Sequence, residues 1–328
     1  MMAEEEAKLK PRRLRGHEDS TSCCIASRDR PHLIVTSGDD GRVCWFDLRC
    51  NDVPRLRMDV SVEPIPSLSF KSDREDKIYV SSGKEIKCFD VRLATTKWEP
   101  LENYNYNKEE INQVACNSKS SFLAAADDSG EVKIIDIHQQ CLYKTLRSGH
   151  TSICSTVQFL PWRSWEVISG GLDSTLVLWD FSKGRPHKLA DFEIAAIRSK
   201  GSSNSRKGSQ SRSKDGSSTS NADADQNGKR RLHLDYTLGG HTSAVSGLAF
   251  SLFGERGKFI ISGGNDKSVK LWNWSSYPDA GLSDANNDIL HLNISVPQKV
   301  NWLCSTPADT DNLVVCDTSN VVKVYSIT

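Results

Sequence analysis

Short apolar runs recur along the chain in one arrangement. A run rich in Val, Ile, Ala or Ser ends on Gly or Asp, turns, and is followed by a second run ending in an aromatic residue and Asp, Asn or Ser. Residues 168–180 read ISGGLDSTLVLWD, residues 261–273 read ISGGNDKSVKLWN, and residues 35–47 read VTSGDDGRVCWFD. Weaker copies are VSSGKEIKCFD at 80–90, AAADDSGEVKIID at 124–136 and VVCDTSNVVKVYS at 314–326. The apolar positions are β-branched or aromatic and are bracketed by turn formers, which predicts short strands rather than helices. Asp and Gly suit the tight connections because they tolerate positive φ and bond their own backbone. The copies end at Asp47, Asp90, Asp136, Asp180, Asn273 and Ser326, with gaps of 43, 46, 44, 93 and 53 residues. Such a unit cannot bury both its faces alone. Stacking units around a ring does so and protects most strand edges.

The ends of the pattern predict closure. Arg12–Arg15, followed by Gly16-His17, reads as the last strand of a unit, as does CLYKTLRSGH at 141–150. The run VVKVYSIT stops after a third strand, so the N-terminal strand is expected to complete the last unit and latch the ring. Between Asp180 and Asn273 lie about two periods but one readable repeat. The expectation is an all-β ring of six readable four-stranded blades in a seven-blade pattern, with the inner strands of a fifth blade missing. Whether such a ring closes with six blades or stays gapped is left open by the sequence. The expected organisation is a tail over 1–11, four blades over 12–192, a loop over 193–231 and two blades over 232–328.

His150, Ser169 and Asp173 have the residue types of a nucleophilic triad. Their spacing argues for structure instead. His17, Thr36, Asp40 and Phe46 lie at offsets 0, 19, 23 and 29, and His150, Ser169, Asp173 and Trp179 repeat them. His241, Ser262, Asp266 and Trp272 follow with two residues inserted. A triplicated constellation reads as a buried hydrogen-bond relay that pins the strands of each blade, since buried polar groups need partners.

A period of roughly 40–45 residues with Gly-His near its start and Trp-Asp at its end is where the chain resembles the WD-repeat family. The likeness covers nearly the whole chain except 193–231. It implies a β-propeller that binds proteins and catalyses nothing. Some propellers of this family are substrate receptors of cullin-RING ubiquitin ligases, docking on the damaged-DNA-binding-protein adaptor through a Trp-Asp-x-Arg blade ending. Two endings here are similar: Phe46-Asp47-Leu48-Arg49 and Phe89-Asp90-Val91-Arg92. They depart from the family in having Phe for Trp, and Val35 stands where a small residue is expected. The resemblance therefore assigns adaptor binding to Asp47, Arg49, Asp90 and Arg92, with an unknown substrate as second partner. The alternatives are a scaffold of another complex, in chromatin or ribosome assembly, with Arg49 and Arg92 as ordinary strand-end residues.

Composition narrows the picture further. The 42 basic and 42 acidic residues balance, which favours neither nucleic acid nor a membrane surface. Ten cysteines are scattered without a CxxC pair, and no phosphate loop or HExxH is present, so neither a metal, a cofactor nor a small-molecule ligand is expected. No secretory or membrane-spanning stretch is read, and a cytoplasmic or nuclear location with reduced thiols is expected. Residues 198–231 hold ten Ser and nine Lys or Arg against three acidic residues, a composition expected to be disordered. Lys229-Arg230-Arg231 within it is a candidate import signal. In FLPWRSWE, Trp162, Arg163 and Trp165 are read between two strands of a blade, where a loop reaches a face and aromatics beside Arg make binding hot spots.

Overall fold

Tight turns set the geometry of each unit. Between its second and third strands the backbone enters the left-handed region at Gly41 (φ 68°), Gly130 (φ 79°), Ser174 (φ 61°) and Lys267 (φ 62°). Gly41 has no alternative, because a Cβ there would lie 2.0 Å from the Ser61 carbonyl oxygen. The computed structural model describes residues 9–93, 98–119, 121–160, 163–182, 187–196, 230–234, 240–252, 259–273, 290–307 and 311–327.

Strand β1 (Arg12–Arg15) precedes the first complete blade, which holds β2 (Thr21–Ala26), β3 (Leu33–Gly38), β4 (Arg42–Asp47) and β5 (Leu56–Asp59). Blade two holds β6 (Ser67–Lys71), β7 (Arg74–Ser82), β8 (Glu85–Asp90) and β9 (Glu102–Tyr104). Blade three holds β10 (Ile111–Cys116), β11 (Phe122–Asp127), β12 (Val132–Asp136) and β13 (Cys141–Leu146). Blade four holds β14 (Cys154–Leu160), β15 (Arg163–Gly171), β16 (Thr175–Asp180), β17 (His187–Ala196) and β18 (Arg230–Leu234). Blade five holds β19 (Val245–Phe250), β20 (Phe259–Gly264), β21 (Ser268–Asn273) and β22 (Leu290–Ser295). Blade six is β23 (Val300–Ser305), β24 (Asn312–Asp317) and β25 (Val321–Ser326), with β1 as its outer strand. Neighbours within a blade pair antiparallel in chain order, apart from β17 and β18, and β1 pairs with β25 in the register Arg12↔Val324 to Arg15↔Val321. The molecule is a six-bladed β-propeller, and no α-helix occurs among the described residues.

Blades meet face to face. Ala115, Ala124 and Ile134 of blade three pack with Val157, Phe159, Val167 and Val177 of blade four, all buried. Side chains of the innermost strands also bond across the junctions. Gln113 Oε1 accepts from Thr156 Oγ1 (2.5 Å) and from Val157 N–H (2.8 Å). Ser67 Oγ accepts from Val114 N–H (3.1 Å), and Asn301 Nδ2 donates to the Thr21 carbonyl (2.8 Å). Buried donors so partnered fix the angle between blades as well as their contact.

The six readable blades are the six sheets of the structure. Two expectations change. Blade four has five strands rather than four: β17 runs past residue 192 to Ala196, β18 begins at Arg230 inside the expected loop, and the two pair in parallel. Strand pattern alone does not place both in one sheet. In addition, Arg163 and Trp165 are not in a loop. Leu160 pairs with Arg163, so both residues lie on β15. The disorder expected at 198–231 falls, except for β18, outside the described residues, as does Trp162.

Candidate functional site

The repeated His, Ser/Thr and Asp residues converge in each of three blades. In blade four, His150 Nδ1 lies 3.2 Å from Asp173 Oδ1 and its Nε2 2.8 Å from Ser169 Oγ. The Trp179 indole N–H donates to the same Ser169 oxygen at 2.9 Å. In blade five, His241 lies 3.0 Å from Asp266 and 2.7 Å from Ser262, which also accepts from the Trp272 indole at 2.8 Å. In blade one, His17 lies 3.0 Å from Asp40 and 2.9 Å from Thr36. There the chain of bonds stops, because Phe46 has no N–H to donate.

The three histidines and their Ser/Thr partners are buried. The glycine before His150 is part of the same construction: a Cβ at Gly149 would lie 2.1 Å from Trp179 Cζ2. Burial raises the Asp173 carboxyl, but bonds from the Thr151 N–H, the Thr175 hydroxyl and His150 outweigh it and hold the group at about 2. Asp40 and Asp266 are shifted downward against burial by bonds from their histidines and neighbouring backbone N–H groups.

Sequence reasoning missed a variant of this relay. In blade three Asn107 Nδ2 donates to Asp127 Oδ2 at 2.8 Å. Both residues are buried. The signal was an Asn twenty residues before an Asp, shorter than the His offset and of another residue type.

The endings of β4 and β8 form a second, exposed arrangement. Arg49 Nε and Nη2 donate to the two oxygens of Asp47 at 3.0 and 2.8 Å, and Arg92 does the same to Asp90 at 3.0 and 2.7 Å. The backbone N–H of each Arg also bonds the same carboxylate, at 3.1 and 3.0 Å. The aspartate side chains are 2% and 4% exposed, and the arginines above them 63% and 54%. Asp47 is held at about 2 by the Arg49 guanidinium, and Asp90 is lowered by Arg92 for the same reason. A bidentate fork on a buried anion fixes the plane of the guanidinium and leaves its outer edge to solvent.

Both endings leave the third strand of neighbouring blades, so they emerge at the same end of the ring. Asp76 lies 3.4 Å from Arg30 of blade one and 3.5 Å from Arg92 of blade two, bridging the blades there. Arg55 adds a further cation 3.6 Å from Asp47. Trp165, in contrast, is 42% exposed and packs on Phe122 (5.2 Å between centroids) and Phe181 (5.5 Å), with Arg163 held by Glu166 at 2.6 Å. Among the described residues no cluster of His, Cys, Asp and Glu is placed to hold a metal ion, and the ten cysteines are free thiols.

Repeat, relay and ring together define the class: a six-bladed β-propeller in which WD40 repeats are found. The model of the family "WD domain, G-beta repeat" matches residues 9–47, 140–180 and 233–273. The chain is similar to the WD repeat-containing protein 53 homolog of Dictyostelium discoideum, 25% identical over 96% of this chain and 94% of that protein. It is also similar to the GATOR2 complex protein WDR24 of Danio rerio, at 24% identity over 48% of this chain and 20% of that protein. The ribosome biogenesis protein WDR12 homolog of Aedes aegypti matches at 23% over 55% and 45%. No helix of the described residues is long and apolar enough to cross a membrane.

Proposed function

We propose that this propeller is a non-enzymatic interaction scaffold acting as a substrate receptor of a cullin-RING ubiquitin ligase, with Arg49 and Arg92 docking on the damaged-DNA-binding-protein adaptor. The observation that carries the reading is the duplicated fork: two exposed guanidinium groups, each anchored bidentately on a buried carboxylate, in consecutive blades at one end of the ring. Preorganised arginines lose little entropy on binding and are enriched among interface hot spots. The Phe at positions 46 and 89 leaves this geometry intact, because the fork depends on the Asp and Arg alone. Both phenylalanines are buried.

The test is adaptor recovery by Arg49→Ala/Arg92→Ala protein whose melting temperature equals that of the unmodified chain. Binding is expected to fall by more than about tenfold. Equal recovery by the folded double variant, or no recovery by the unmodified chain, sinks the receptor reading. The second reading is a scaffold of another assembly, favoured by relatives whose names place them in the GATOR2 complex and in ribosome biogenesis. It predicts a stable complex that ignores the double substitution.

A further inference from the structure

Arg49 is held at both of its ends, and by different parts of the ring. Asp47 of its own blade fixes the guanidinium. The backbone end is held by strand β1, the outer strand of blade six. Arg12 donates from Nη1 to the Leu48 carbonyl and from Nη2 to the Cys50 carbonyl, the residues on either side of Arg49. Its Nε donates to Asp52 Oδ1 at 2.5 Å. The Arg15 N–H donates to the Asp52 carbonyl at 2.8 Å. Residues 49–53 are exposed, so packing contributes little to holding them. A planar guanidinium presents its donors in a rigid fork and can engage acceptors spread in this way, whereas an ammonium on a flexible stem cannot fix all three in one geometry. Arg92 is held differently. Its ending forms a single 3-10 turn, Val91–Leu93, and Asp76 lies 3.5 Å from its Nε. Both contacts lie within blade two.

We propose, building on the adaptor reading of Arg49, that Arg12 is a positioning residue for that docking: it holds the loop 48–52 so that the Arg49 fork stands ready for the partner. Arg12 itself is placed by the pairing of β1 with β25, opposite Val324. The docking end of blade one is therefore complete only when blade six has closed. With β1 unpaired, Asp47 still holds the Arg49 guanidinium, but the backbone on either side of Arg49 is released. Ordering that loop then becomes a cost of binding. The two forks are thus unequal, because Arg49 depends on the latch strand and Arg92 on its own blade.

The test uses the full chain carrying Arg12→Gln, read by amide exchange and by affinity for the purified adaptor. The N–H groups of Arg49 and Cys50 bond the Asp47 carboxylate and carbonyl. Their exchange is expected to quicken about fivefold, with exchange at Arg92 and along 321–326 unchanged. Adaptor affinity is expected to fall about fivefold, the effect of ordering a short loop at the interface. In the Arg49→Ala background, where Arg92 keeps binding measurable, Arg12→Gln should cause no further loss. In the Arg92→Ala background the full loss should remain. Arg12→Lys should not restore affinity, because it keeps the charge without the fork. Asp52→Ala removes one partner from the loop side and leaves β1 untouched. It should give a smaller loss in the same direction, and it decides the matter if Arg12→Gln loosens 321–326. Equal losses with and without Arg49 would make Arg12 a direct contact or a general stabiliser and overturn the proposal. Unchanged exchange at 49–50 in both variants, or full affinity with Arg12→Lys, would do the same. No binding by the unmodified chain removes the receptor reading and this one with it. Binding that Arg12→Gln and Asp52→Ala both leave intact removes this one alone.

Discussion

Ser169 uses one hydroxyl twice, accepting from the Trp179 indole while bonding His150. That shared oxygen ties β15, β16 and the approach to β14 together. Ser169→Ala should therefore orphan two buried nitrogens and lower stability by roughly 1–3 kcal/mol in a denaturant titration. The same substitution at Thr36 should cost less, because Phe46 offers no second donor. A difference of zero between the two positions would rule out the shared-oxygen account. The pH dependence follows from the carboxylates. Asp173 titrates at about 2 in the fold, below the ordinary carboxylate range of roughly 4. Its contribution is complete above that ordinary value and is lost as pH falls from about 4 toward about 2. Asp173→Asn should flatten the melting profile in that window and leave its shape near neutrality unchanged. This relay was legible as a repeated offset, because residue spacing along paired strands is fixed by their register. The Asn107–Asp127 pair was hidden, since it keeps the role but changes both residue type and spacing.

At the scale of single elements, the third strand of each repeat was legible from its apolar run and its Asp, Asn or Ser ending. Connections were harder. Leu160 pairs with Arg163, so Arg163 and Trp165, in a stretch that reads as a loop, belong to β15. Blade four also takes β18 into its sheet, which strand pattern alone does not reveal. Strand β1 is short and carries Leu14 as its one buried side chain, among Ile34, Phe46, Val322 and Val324. A charge there loses that packing and has no partner. Leu14→Asp should detach β1, seen as loss of amide protection along 321–326 and a fall in melting temperature. Unchanged protection would mean that the backbone pairing alone holds the strand.

At the scale of the whole molecule, the ring was legible because a fixed period with alternating apolar faces admits few other architectures. So was the number of readable blades: the six repeats are the six sheets of the structure, although the gap of 93 residues between two repeat endings left open how the ring closes there. The proposed docking was legible only as far as the Asp-x-Arg endings. Sequence places these in two consecutive repeats. It does not show that each carboxylate is buried under its own arginine, which is what turns a strand-end residue into a fixed donor. The balanced net charge fits the proposed docking, which rests on two anchored groups rather than on a field spread over the surface.

The pairing of β1 with β25 also sets an order of events during synthesis. Every other blade draws its strands from one continuous stretch of chain and is free to form as that stretch leaves the ribosome. Blade six joins Arg12–Arg15 to Val321–Ser326, a contact of nearly the largest sequence separation the chain allows. Such contacts form slowly, because loop closure precedes the energy that rewards it. Strand β1 must therefore wait, unpaired, until β25 has been made.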